Sequence, residues 1–126
     1  MSEKIVLCAC SGMNPRGEVA RVSVYDMTVE NDNLEYCCIV ASGGDYRKFV
    51  DLARDNTVIA VNGCENNCPE TILKTKDASV EHNMNVSKLL KRHGLKAQNT
   101  VRLNENDEEC VKAIKEEIKS LIDTIQ

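Results

Sequence analysis

The stretch Thr57-Val58-Ile59-Ala60-Val61-Asn62-Gly63-Cys64-Glu65-Asn66-Asn67-Cys68-Pro69 decides how the chain is read. It opens as a continuous apolar run, the mark of a strand buried on both faces, and runs through a polar, glycine-bearing turn. Pro69 then suits the first turn of a helix, which the sequence carries to about Lys76. A strand, a tight turn and a helix in that order form one unit of a parallel sheet. Two cysteines sit on the turn, where backbone N–H groups and the helix dipole favour thiolate over thiol.

Outward from this unit the same alternation repeats. Ile5 to Ala9 reads as a first strand and Glu18 to Val29 as a first helix with Val19, Val22, Tyr25 and Val29 on one stripe. Leu34 to Val40 reads as a second strand, and Tyr46 to Arg54 as a helix that turns Phe49, Val50 and Ala53 inward. After the central unit, a polar segment from Asp77 to Asn85 holds a short strand around Val80. A helix from Val86 to His93 ends at Gly94, Asn99 to Leu103 forms a further strand, and a last helix starts at Asp107. In that helix Val111, Ile114, Ile118, Leu121, Ile122 and Ile125 give the clearest amphipathic pattern of the chain. The expected fold is α/β and three-layered, with a mostly parallel sheet of four or five strands, helices on both faces and a flavodoxin-like or Rossmann-like order. Residues 1–126 read as one domain, since no linker, repeat or low-complexity segment divides them.

Composition narrows the function. A chain of 126 residues with 42% hydrophobic content buries a core without covalent staples, so its seven cysteines need another reason. Their odd number and the absence of a secretory pattern argue against a disulfide framework and for the reducing cytoplasm. No apolar stretch approaches the roughly 20 residues of a membrane span, so no membrane role is expected. A net charge of -4, scattered lysines, one Phe and no Trp supply neither a phosphate-tracking face nor a stacking platform, which excludes nucleic acid as an expected partner.

The cysteines fall where a parallel sheet collects ligands. Cys10 ends the first strand, Cys37 and Cys38 lie in the second, and Cys64 and Cys68 follow the third. If the first strand sits between the other two, all three segments open into one crevice at the carboxyl edge. Neighbouring strands are about 4.8 Å apart, so thiols there could meet one ion at about 2.3 Å. Cys37 and Cys38 point to opposite faces of a strand, so one of them reaches the crevice. Cys8, in mid-strand, and Cys110, in the last helix, read as core thiols.

The motifs Cys10-Ser11-Gly12, Cys38-Ile39-Val40-Ala41-Ser42-Gly43-Gly44 and Val58 to Cys68, in this order, resemble the DGC-domain family, named for an Asp-Gly-Cys motif. The resemblance implies a zinc-binding protein with Cys10, Cys38, Cys64 and Cys68 as its four chelating cysteines, Cys37 being the reserve. Asn62 stands where the family has its Asp, which removes a carboxylate from beside the site. Four thiolates suit zinc, and an iron–sulfur cluster is the other sulfur-held group they suit. One C-x3-C pair plus two isolated cysteines departs from the two paired ligands of common structural zinc sites.

Two other chemistries compete for the same residues. Cys10 to Arg16 forms a C-x5-R loop that resembles the phosphate loop of low-molecular-weight tyrosine phosphatases and arsenate reductases, which implies Cys10 as nucleophile and Arg16 as a fork for an oxyanion. Gly17 replaces the hydroxyl residue those enzymes carry after the Arg, and the chain has no Asp-Pro general acid. The third reading makes Cys64 and Cys68 a redox dithiol, with one more intervening residue than the thioredoxin motif. His82 and His93 are isolated, Gly43-Gly44 reads as a turn, and Lys88-Lys91-Arg92 and Lys112-Lys115-Lys119 read as solvated helix faces.

Overall fold

A computed structural model describes residues 4–10, 14–63, 66–97 and 105–126. The first strand, β1 (Ile5–Ala9), is buried at every position, as the continuous apolar run requires. Helix α1 (Pro15–Glu30) follows, with Pro15 in its first turn and the Asn14 side chain accepting from the Gly17 N–H at 2.8 Å. Next come β2 (Leu34–Cys37), a short α2 (Ile39–Gly43), α3 (Arg47–Asp55) and β3 (Thr57–Asn62). The described chain is completed by α4 (Cys68–Thr75), β4 (His82–Asn85), α5 (Val86–Arg92) and α6 (Glu105–Ile125).

The four described strands are all parallel and lie in the order β2-β1-β3-β4. This is the flavodoxin-type order of a doubly wound sheet rather than the Rossmann one, and its direction reverses between β1 and β3. Strand connections are right-handed, so reversing the direction of travel moves the connecting helices to the opposite face. The burial pattern follows from that. Ile5, Leu7 and Ala9 of β1 and Ile59 and Val61 of β3 pack with α1, α5 and α6, where Val24, Leu90, Ile114 and Ile118 meet them. Their neighbours Val6, Cys8 and Val58 face the other layer, with Cys37, Ile39, Ala53 and Leu73. Three layers result, helices on each side of one sheet. Among the described residues no helix is long and apolar enough to cross a membrane.

Several boundaries differ from those expected of the sequence, each for a local reason. The second strand stops at Cys37 instead of Val40, because Cys38 leaves the ladder and Ile39 onward coils into α2. Two side-chain bonds hold that turn: the Ser42 hydroxyl donates to the Cys38 carbonyl at 2.9 Å and the Ala41 N–H donates to Cys38 Sγ at 3.5 Å. These outweigh the β preference of Ile39-Val40. In α1 the buried stripe is Gly17, Val19, Ala20, Ser23, Val24 and Met27, whereas Tyr25 and Val29 are 58% and 64% exposed. Apolar residues occur all round this helix, so periodicity misplaces its inner face. The small residues at 17, 20 and 23 bring it close to the sheet. The short strand expected around Val80 begins at His82 and is polar, with Met84 its one buried side chain. Helices α3, α4 and α6 start within two residues of expectation. The expected strand from Asn99 to Leu103 lies outside the described residues.

Candidate functional site

β1 lies between β2 and β3, so the condition for a shared crevice is met: the chain leaves all three strands at the same edge. Cys10 is the first residue beyond β1. Its N–H donates to the Val61 carbonyl at 3.1 Å, continuing the ladder, and its side chain is buried in the core beneath α1 and α6. Cys38 is the N-cap of α2, its sulfur taking the Ala41 N–H in the way a cap serine oxygen would, and it is partly exposed. Cys68 is exposed and opens α4, after Asn67 in the left-handed conformation at φ 51. Helices α2 and α4 pack against one another. Cys64 lies outside the described residues, and so does the Cys64–Cys68 pairing that a dithiol requires. Among the described residues no three His, Cys, Asp or Glu side chains gather into a group able to hold a metal. Cys10, Cys38 and Cys68 therefore share an edge without surrounding one point.

The start of the C-x3-C turn is fixed by contact with α1. A Cβ on Gly63 would lie 2.8 Å from Gly17 Cα and 2.9 Å from Gly17 N, so only glycine fits there without movement. Beside it, Asn62 is 1% exposed, and its amide donates to the Met84 carbonyl at 3.2 Å and to Asn83 Oδ1 at 3.3 Å. Asn62 Oδ1 is buried and has no hydrogen-bond partner among the described residues.

A second thiol arrangement escaped the reading of the sequence. Cys8 and Cys37 are register partners across β1 and β2, both fully buried, and the two thiols interact. Cys37 Sγ also lies 3.4 Å from Ser42 Oγ and 3.6 Å from the Phe49 carbonyl. The Cys8 bond pulls Cys37 down to about 7 against its burial, while the same bond and desolvation push Cys8 far up. The signal was present in the offsets: each cysteine lies three residues after its strand begins, at Ile5 and Leu34, which pair with each other. Cys110 is buried in the core on the α1 and α6 side, as expected.

Arg16 projects from the first turn of α1 into a pocket of about 480 Å³ that it shares with Ser87, Lys91 and Lys96. Residues 11–13 of the C-x5-R loop lie outside the described residues, and Cys10 is largely shut from solvent. His93, at the end of α5, has Nε2 3.4 Å from Glu117 Oε2, a contact that joins α5 to α6.

The family model of the DGC domain matches residues 6–125, nearly the whole chain. The chain belongs to the DGC-domain family. No curated protein and no solved structure matches it. Membership extends over the last two helices, well beyond the stretch up to about residue 75 that carries the motifs. The family position occupied here by Asn62 is the buried amide bound to β4.

The donor set fits a thiophilic ion in kind. Its described sulfurs belong to elements that meet at one edge, and Cys38 and Cys68 stand at the starts of α2 and α4. Zinc and iron–sulfur clusters both take such ligands.

Proposed function

We propose that this DGC-family chain binds a thiophilic metal ion, zinc first, at the carboxyl edge of its sheet through Cys10, Cys38, Cys64 and Cys68. The observation that carries the reading is the strand order, which sends the chain from β2, β1 and β3 into one region. Support also comes from Cys38 and Cys68, which stand at the starts of α2 and α4, two helices packed against one another. Among the described residues, Cys68 must come nearer to Cys10 and Cys38 for one ion to be shared. Four thiolates would fill a tetrahedral shell, so holding or carrying the ion is the role expected, ahead of hydrolysis on it. Free thiols in this number go with the reducing cytoplasm.

Metal analysis of protein purified under reductant without chelator tests the proposal. About one equivalent of metal in the parent and a strong loss in Cys64→Ser is the expected result. Negligible metal in the parent overturns it.

A further inference from the structure

We propose that the pocket between the first turn of α1 and the end of α5 binds a small phosphate monoester, separately from the cysteine edge. The pocket measures about 480 Å³, within the range of small-molecule sites. Arg16, Lys91 and Lys96 line it, Ser87 adds a hydroxyl, and among the described residues no carboxylate is in its walls.

That sign is unusual for this chain. The net charge is -4, and several cations elsewhere are matched to acids, as Arg92 is to Glu117 and Lys115 to Glu30. Arg16, Lys91 and Lys96 form no ion pair among the described residues. Gathering three unpaired cations round one hollow costs repulsion that a dianion would reverse. Arginine can hold two phosphate oxygens in a fork, and the lysines supply point charges. The remaining walls are apolar, formed by Pro15, Leu90, Leu95 and Ala97. A bare inorganic anion would leave those walls wet. An ester with an apolar body covers them, which is the basis for preferring a monoester.

The probe is phenyl phosphate, titrated by calorimetry and by amide shifts into the full chain at low salt, with chelator present so that metal binding plays no part. Saturable binding with shifts clustered at residues 15–17 and 87–97 is expected, with phenol inert and inorganic phosphate weaker. Lys91→Ala/Lys96→Ala should weaken binding about tenfold or more, the scale of a lost charge-assisted contact, at unchanged circular dichroism. Lys112→Ala/Lys119→Ala, which removes equal charge from α6, should leave affinity unchanged. No saturable binding at millimolar phenyl phosphate, or equal weakening in both double variants, overturns the proposal.

Discussion

Gly63 and Gly17 meet backbone to backbone: a Cβ added at Gly63 would come within 2.8 Å of Gly17 Cα. The end of β3 is thereby seated on the first turn of α1, and the cysteine turn starts from that seat. Gly63→Ala must push the two elements apart. The expected cost is about 1–3 kcal/mol, as for overpacked cores, read as a lower denaturant midpoint. Unchanged stability would show that the two segments separate freely.

The Cys8–Cys37 pair predicts a thiol titration. Cys37 is pulled down to about 7 chiefly by the Cys8 donor, so Cys8→Ala should move the Cys37 transition up toward the ordinary thiol range. Ultraviolet thiolate absorbance, taken as the difference from a Cys37→Ala control, measures it. The linkage has two arms. The depressed Cys37 stabilises the fold above the unfolded thiol value, and that contribution is lost as pH falls through about 7. The raised Cys8 contributes below the unfolded thiol value and loses it as pH climbs beyond. The stability difference between parent and Cys8→Ala/Cys37→Ala should therefore peak near the ordinary thiol pKa of about 8.5. A flat difference across that range contradicts the pair.

Cys38 combines a cap with a proposed ligand, and two substitutions separate them. Cys38→Ser keeps an acceptor for the Ala41 N–H, so the metal-free protein should be as stable as the parent. Cys38→Ala loses the cap and should cost about 0.5–2 kcal/mol. Both should lose bound metal. Full metal content in Cys38→Ser would remove Cys38 from the ligand set.

Asn62→Asp restores the residue that gives the family its name. In this chain the carboxylate would face the Met84 carbonyl with no proton to offer, although the exposed Asn83 amide could rotate to meet it. A loss of about 1–3 kcal/mol at pH 7 is expected, the penalty of an unsatisfied buried group. Burial raises the carboxyl pKa in the folded state. The variant's deficit should thus be smallest near pH 4, below which the unfolded carboxyl is also protonated, and grow as pH rises. Parental stability at pH 7 would mean that other donors reach this position.

Legibility in the sequence follows the strength of the local signal. β1 and β3 are unbroken apolar runs, and α6 carries isoleucines at one helical spacing, so residue type and spacing alone disclose all three. β4, with the sequence His-Asn-Met-Asn, has no apolar pattern, because its place comes from pairing with β3. Cys38 shows a different limit. Ile39 and Val40 favour a strand by propensity, while the side-chain bonds of Cys38 and Ser42 that form α2 have no signature in propensity. For the site, chain order brings Cys10, Cys38 and Cys68 to one edge. Their separation from a common point depends on how each side chain leaves its element, and that is a tertiary matter.

The end of β1 parts two thiols between the packing layers, because the chain departs there from the strand's alternation. Cys8 is turned into the layer of α2, α3 and α4, whereas Cys10, past the strand's end, sits in the opposite core. The sheet acts as a septum between two thiol populations: a paired set, Cys8 with Cys37, and a set that includes Cys10 and Cys110. One small chain in this way keeps two thiols that are close in sequence in separate packing layers.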